Sequence, residues 1–265
     1  MSDAPGLEGL RGRTVLVTGA ASGIGQAVCG RLAAEGAGIA LVDRDEGRLN
    51  AVVESLGGNG ARRIAINADV SREPEVAEAI ERAVAVLGAL RGVVTCAGIF
   101  DPSDLAPVAE VSFDTFARLL SVNLTGTFLV AKYALPHLVA AAADSGGTPS
   151  AIVTVGSTAG LRGHGKGVGY TASKGGVIAL TRLLAFQYGE KGVRTNCICP
   201  GFTDTPMTGG TGRDPVLLRA LRRGIPLRRI AQPEEIASLA CFLLSDSASY
   251  INGQIIAADG GATVT

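Results

Sequence analysis

Tyr170 and Lys174 stand four residues apart in a stretch patterned as a helix, so their side chains share a face and can act on one ligand. A phenol with a reference pKa of about 10 is a poor base at neutral pH, and a lysine cation beside it favours the phenolate. Such a pair can move a single proton. The same spacing also makes an ordinary surface pair, so its company decides its meaning. Far upstream, Thr18-Gly19-Ala20-Ala21-Ser22-Gly23-Ile24-Gly25 follows the apolar run Val15-Leu16-Val17 and opens a helical pattern. Glycines at a strand-to-helix turn let the backbone approach a ligand closely, and the helix start offers unpaired N–H groups to a pyrophosphate. The spacing is Gly-x3-Gly-x-Gly, not the commoner Gly-x-Gly-x-x-Gly, and a bare turn is the bland alternative.

Four further polar residues stand where chemistry could use them. Asp43 ends a strand-like run 24 positions after Gly19, close to the separation of about 20 at which a carboxylate meets adenosine ribose hydroxyls. A carboxylate there favours NAD and repels the extra phosphate of NADP. Ser22 brings no compensating charge, although Arg44 does. The alternative is that Asp43 caps the helix starting near Asp45. Asp69 has the same ambiguity, but Ser71 is better placed as the next cap, which leaves Asp69 for the adenine edge. Ser157 follows the run 152–155 and offers a hydroxyl to a carbonyl oxygen. Asn123 falls inside a long helical pattern where asparagine is a mediocre former, so a buried polar contact or an exposed face is expected.

The elements that must position these residues alternate. Strand-like runs are expected at 14–17, 38–42, 63–67, 92–94, 151–155, 193–198 and 254–257, with helices at 26–35, 46–56, 75–86, 113–137, 168–188 and 233–244. Alternation of this length implies right-handed crossovers and a parallel sheet buried on both faces, a doubly wound α/β fold of Rossmann type with about seven strands. Ligands in such sheets bind beyond the carboxyl ends of the strands. Those ends carry Gly19, Asp43, Asp69, Thr95-Cys96-Ala97-Gly98, Ser157 and Pro200-Gly201. A small-residue stretch at 140–150 is expected as a surface loop.

The chain has 265 residues and no Pro- or Ser-rich linker, which suits a single domain spanning 1–265. Apolar residues make up 47%, enough for a large core, and the longest apolar runs are far shorter than a membrane span of about 20 residues. No secretory pattern is visible in the first residues, so a cytoplasmic location and no membrane partner are expected. Lys plus Arg equals Asp plus Glu at 24 each, which gives no reason to expect nucleic acid. Five scattered cysteines imply reduced thiols. Cys197 and Cys199 share a strand face without a second pair nearby, and His137 and His164 are remote from acidic clusters, so no metal site is expected.

Together these motifs resemble the short-chain dehydrogenase/reductase family over roughly residues 10–261. Thr18-Gly19-x3-Gly23-x-Gly25, Asn123, Ser157, Tyr170-x3-Lys174, Pro200-Gly201 and Asp259-Gly260-Gly261 occur in the family's order. The resemblance implies that Tyr170 is the general acid/base, Ser157 polarises the substrate oxygen, Lys174 binds the nicotinamide ribose, and Asn123 holds a relay water. It implies cofactor contacts from Gly19, Ser22, Gly23, Ile24 and Gly25, from Asp43, Asp69 and Val70, and from Ala97 and Gly98. Tyr170 and Lys174 join them, as do Pro200, Gly201, Thr203 and Thr205, the last with the backbone holding the nicotinamide amide. A homotetramer is also implied. One departure stands out: Thr95-Cys96 replaces the family's Asn-Asn, with Thr95 expected to recover some hydrogen bonding through its hydroxyl and the remainder to be a stability cost.

The expected activity is therefore NAD-dependent hydride transfer between a secondary alcohol or ketone and nicotinamide. A 3-oxoacyl-carrier-protein reductase is the rival within the family, opposed by Asp43 because such reductases mostly use NADPH. A non-catalytic dinucleotide-binding regulator is the rival outside it, opposed by the complete set Asn123, Ser157, Tyr170 and Lys174. A substrate lid is expected at about 206–229, where Arg213, Arg219, Arg222, Arg223, Arg228 and Arg229 face one acid, Asp214. These could form a local positive field, but a solvated helix face with Leu217, Leu218 and Leu221 inward is the expectation. Gly160, Gly163, Gly165, Gly167 and Gly169 are expected to leave room for an uncharged substrate of moderate size.

Overall fold

The computed structural model describes residues 6–56, 61–162, 167–209, 219 and 223–264. Its strands are β1 (Thr14–Thr18), β2 (Gly38–Asp43), β3 (Arg63–Asn67), β4 (Leu90–Thr95), β5 (Ser150–Val155), β6 (Val193–Pro200) and β7 (Ile255–Ala258). They form one parallel sheet in the order β3-β2-β1-β4-β5-β6-β7. The order reverses between β1 and β4, so the crevice above that pair is where such a sheet binds its ligand.

Helices α1 (Gly23–Ala34), α2 (Glu46–Ser55), α3 (Glu73–Leu87), α4 (Phe113–Leu120), α5 (Gly126–Asp144), α6 (Thr158–Leu161), α7 (Val168–Tyr188) and α8 (Pro233–Leu244) cover the sheet. Strand alternation sorts its apolar side chains between two layers. Val15 and Val17 join Val28, Leu32, Leu49, Ile236 and Leu244 on the side of α1, α2 and α8. Leu16 joins Ile80, Leu129, Leu138 and Leu184 on the side of α3, α5 and α7. Each such side chain removed from water stabilises the fold by about 1.5–3 kcal/mol.

Most element ends shift by one or two residues from the sequence reading, and three differences are larger. The first helix starts at Gly23, not 26, because glycine's low propensity conceals a turn that packing enforces. The stretch read as a loop at 140–150 stays helical to Asp144, as four alanines at 140–143 favour. The helix expected at 113–137 is interrupted by a π-turn at Ser121–Thr125, which contains Asn123. The helical segment Phe113–Asp144 is long and apolar enough to cross a bilayer by length and composition, but 56% of its qualifying 18-residue apolar stretch is buried, with Leu129, Val130 and Ala134 already packed beside the sheet. His137 lies 3.0 Å from a single acid, Glu81 on α3.

Candidate active site

Each glycine of the first turn has its own steric reason. Gly19 has φ +66°, and a Cβ there would stand 2.7 Å from the Ala97 backbone nitrogen, so the β1 and β4 turns touch. Gly23 has φ +53° and faces the Thr205 side chain. A Cβ on Gly25 would fall 2.1 Å from the Gly19 carbonyl oxygen. Ser22 occupies the cap position of α1 in extended conformation, yet its side chain makes no capping bond. Ser22, Gly23, Ile24 and Gly25 therefore present the helix start to a cleft, which suits an anion.

That cleft also takes in Gly19, Asp43, Asp69, Val70, Ala97, Gly98 and Thr205, all expected from sequence. Arg48, Cys96, Ile99, Val122 and Met207 line it too, without having been read as cofactor contacts; Val122 lies in the π-turn, which no local sequence signal announces. Pro200, Gly201 and Thr203 do not line the cleft. Gly201 donates to the Ala258 carbonyl and lies so close to Asp259 that a Cβ would stand 2.9 Å from its Cα. Thr203 is buried, bridges Ala231, and its hydroxyl donates to the Gly201 carbonyl at 3.3 Å.

The Asp43 carboxylate accepts from the Ala21 N–H and from the Asp45 N–H, each at 3.0 Å. It does not cap the second helix: Asp45 does, accepting from the Arg48 N–H at 3.0 Å. Asp43 thus braces the glycine turn and stays partly exposed at the cleft's rim. Ser71, read as the next cap, instead donates from N–H and hydroxyl to Asp69 Oδ1 at 2.9 and 2.7 Å, and α3 begins with Arg72 at its cap position. Burial pushes the Asp69 carboxyl up, but the Ser71 hydrogen bonds and the Arg44 and Arg72 charges outweigh it and hold it below the usual carboxylate range.

At the other end of the cleft, a Cβ on Gly98 would lie 3.3 Å from Asn123 Oδ1 and 3.5 Å from Lys174 Nζ, so Gly98 joins the cleft to the polar group behind it. Lys174 is buried and donates to the Val155 carbonyl at 2.8 Å, with Nζ 5.8 Å from the Tyr170 ring centre. Ser157 caps α6, its oxygen accepting from the Ala159 N–H at 3.1 Å, which leaves the hydroxyl proton to donate. Asn123 is fully buried: Oδ1 accepts from the Ile99 N–H at 2.8 Å, and Nδ2 donates to the Ile99 carbonyl and to Ser173 Oγ at 3.0 and 3.1 Å. Both amide protons are engaged. The Asn123 backbone carbonyl, in the π-turn, accepts from the Thr127 hydroxyl at 2.9 Å.

Other expectations need correcting. Thr95 recovers nothing: its hydroxyl is buried with no hydrogen-bond partner among the described residues. Burial pushes the Cys96 thiol up to about 12, against a smaller pull from Lys174, so it is an inert neutral group. Ala97 is instead tied to the first turn, its N–H donating to Thr18 Oγ1 at 3.3 Å. Cys197 and Cys199, by contrast, share a strand face as the sequence implies: both are buried, with sulfurs 3.8 Å apart, packed against Gly156.

Gly160, Gly167 and Gly169 serve packing rather than substrate room. A Cβ on Gly160 would stand 2.6 Å from the Lys174 carbonyl carbon, and one on Gly169 3.0 Å from Leu119. Gly163 and Gly165 lie outside the described residues, as do His164, Arg213, Asp214, Leu217, Leu218, Leu221 and Arg222. Among the lid arginines, Arg229 pairs with Glu235 at 2.6 Å and Arg228 donates to the Arg223 carbonyl, so part of the supposed positive field is already matched.

Comparison with known proteins agrees with this arrangement. The family model described as Enoyl-(Acyl carrier protein) reductase matches residues 19–263. The chain is 41% identical over 251 residues to the cis-4-hydroxycyclohexanecarboxylate dehydrogenase of Sinomonas cyclohexanicum, covering 95% of this chain and 96% of that one. It is 37% identical to the 2,5-dichloro-2,5-cyclohexadiene-1,4-diol dehydrogenase of Sphingobium indicum, covering 96% and 98%. A short-chain type dehydrogenase/reductase from Mycobacterium ulcerans superposes with a TM-score of 0.89 at 33% identity, over 98% of this chain and 91% of that one. The seven-stranded sheet, the glycine turn and these relatives together make the chain a member of the short-chain dehydrogenase/reductase family, an oxidoreductase acting on CH–OH groups with a nicotinamide cofactor.

Proposed function

We propose that the enzyme uses NAD and interconverts a ring-bearing secondary alcohol and its ketone, with Tyr170 as general acid/base. The residues present fit a dinucleotide: Gly19, Gly23 and Gly25 allow a close-packed turn in which a Cβ would meet Ala97, Thr205 or the Gly19 carbonyl, and the open start of α1 beside the cleft supplies donors for the pyrophosphate. Gly19, Ser22, Gly23, Ile24 and Gly25 would hold the phosphates, Asp43 the adenosine ribose, and Asp69 and Val70 the adenine. Ala97, Gly98, Lys174 and Thr205 would hold the nicotinamide half, with Pro200, Gly201 and Thr203 shaping the strand end behind Thr205. When bound, the nicotinamide supplies the hydride acceptor or donor.

The chain's own part is the proton. Ser157 donates its hydroxyl proton to the substrate oxygen and orients it. Tyr170 takes or gives the proton at its phenolic oxygen, and the Lys174 cation, anchored on the Val155 carbonyl, stabilises negative charge there. Asn123 acts through its backbone: its side chain fixes Ile99, and its carbonyl, which accepts from the Thr127 hydroxyl, has a second lone pair that could hold a relay water. The observation that carries the reading is the meeting of Lys174 Nζ, Asn123 and Gly98 at the end of the cleft.

The test follows NAD reduction with cyclohexanol. Tyr170→Phe should lower kcat by about 10²- to 10⁴-fold while leaving NADH binding intact; near-normal turnover would overturn the assignment. A carboxylated ring is the second reading, favoured by the name of the Sinomonas relative. Cyclohexanol against cis-4-hydroxycyclohexanecarboxylate, at low and high salt, separates the two, since a preference for the anion that salt erodes marks a positive lid. We further propose a homotetramer in the cytoplasm, from a single 1–265 domain with its lid at about 206–229. Support comes from five free cysteines and from Phe128, Leu183 and Phe186 standing exposed on α5 and α7, Phe186 by 85%. A concentration-independent monomer in sedimentation would refute the assembly.

A further inference from the structure

Asp104 is fully buried in a 3₁₀ turn at Pro102–Leu105, and its carboxylate meets the start of α7. Oδ1 accepts from the Gly169 N–H at 2.7 Å, and Oδ2 from the Tyr170 N–H at 2.9 Å. These are leading N–H groups of the helix that carries Tyr170 and Lys174, and a carboxylate complements that positive end. The helix's own cap, Gly167, has no side chain to do this. Gly167 has φ +61°, and a Cβ there would stand 2.3 Å from Asp104 Oδ2, so the absent side chain is what admits the carboxylate.

The turn bearing Asp104 is itself fastened. Asp101 Oδ1 accepts from the Ser103 N–H and hydroxyl at 2.8 Å each, Arg118 pairs with Asp101 Oδ2, and the Asp104 N–H donates to the Asp101 carbonyl at 3.0 Å. Upstream, Asn123 grips Ile99 at both backbone groups, and the Phe100 ring meets the Tyr170 ring edge-on with centres 5.7 Å apart. Residues 98–105 thus form a strap from the cofactor turn to the first turn of α7, touching Tyr170 at its ring and at its backbone.

We propose that Asp104 is a positioning residue for Tyr170: its buried carboxylate fixes the first turn of α7, so turnover depends on it while dinucleotide binding does not. The proposal rests on Tyr170 as the proton carrier. None of the residues lining the dinucleotide cleft contacts the carboxylate in the bonds described, so the two roles are separable.

The test compares Asp104→Ala, Asp104→Asn and Gly167→Ala in the full-length enzyme with NAD and cyclohexanol. It reads kcat, KM, the dissociation constant of NADH by fluorescence, and thermal unfolding. Asp104→Ala should lower kcat by about tenfold or more, since small displacements of a reacting group have large kinetic effects, with NADH affinity unchanged. Asp104→Asn retains one acceptor and should fall between. In a Tyr170→Phe background the Asp104→Ala change should be nearly silent, because groups that act as a unit are not additive.

A kcat loss of less than about fivefold, or a loss that persists in full without the phenol, would overturn the proposal. Should Asp104→Ala fail to fold, Gly167→Ala keeps the charge and obstructs its seat: lost kcat with retained NADH binding supports the proposal, and full kcat overturns it. A fully active Tyr170→Phe enzyme takes down the proton-carrier reading together with this one. An inactive Tyr170→Phe beside normal Asp104 variants removes this proposal alone.

Discussion

Replacing Asp43 with alanine should reverse the choice between NAD and NADP, and the structure sets the size of the effect. Asp43 braces two backbone N–H groups, those of Ala21 and Asp45. Their loss loosens the glycine turn for either cofactor by about 1 kcal/mol or more. The lost bond from the carboxylate to the ribose falls on NAD alone, at about 1.5–3 kcal/mol, or roughly 10- to 100-fold in kcat/KM. NADP instead escapes a repulsion. Two like charges about 4 Å apart repel by about 4 kcal/mol at an effective dielectric of about 20, which is an upper figure because Asp43 is partly exposed and screened. Arg44 and Arg48 line the same rim and would then face a phosphate unopposed by Asp43. The ratio of kcat/KM for NADP over NAD should therefore rise by about 10²- to 10⁴-fold. Both cofactors are assayed on both enzymes at one ionic strength. A ratio that moves by less than about threefold would refute the assignment of Asp43 to the ribose, as would a wild-type enzyme that prefers NADP by about tenfold.

Two further outcomes follow from packing around the same cleft. Thr95→Val removes a buried hydroxyl that has no partner and keeps its shape, so it should stabilise the protein by about 1 kcal/mol and raise Tm by about 2–4 °C; a lowered Tm in calorimetry would show that the hydroxyl is satisfied. Gly25→Ala puts a Cβ 2.1 Å from the Gly19 carbonyl oxygen and should weaken NADH binding by about tenfold or more, whereas Gly30→Ala on the same helix meets nothing within 4 Å and should bind normally. Equal NADH dissociation constants for these two variants would contradict the steric account.

Local signals carried the sequence reading far. Apolar runs bounded by glycine and aspartate located all seven strands, and the glycine turn, Asp43 and Tyr170-x3-Lys174 are short-range patterns whose chemistry is visible in the chain itself. Asp104 was missed because its partners are Gly169 and Tyr170, more than sixty positions away, and no local spacing announces such a cap. Gly160, Gly167 and Gly169 were misread for the same reason: a glycine looks alike whether it admits a substrate or a neighbouring backbone, and only the packed helices decide. Thr95 shows the converse error. A hydroxyl can hydrogen-bond, but at the end of a central buried strand the neighbours of this one supply nothing to bond with.

The π-turn at Ser121–Thr125 gives one long helix two independent phases. An extra residue in a turn rotates everything on one side of it by about 100° relative to the other. Upstream, α4 is keyed to α7, with Leu119 against Gly169; downstream, α5 is keyed to β4 and α3. Deleting a single residue here would restore a uniform pitch and bring the halves into one phase. Leu119 would then swing off the helix of Tyr170 and Asn123 off Ile99, while Leu129 to Leu138 kept their seat beside the sheet. The widened turn therefore acts as a phase shifter. It lets the surface that faces the reacting groups vary in sequence and angle without renegotiating the contacts that hold the sheet together.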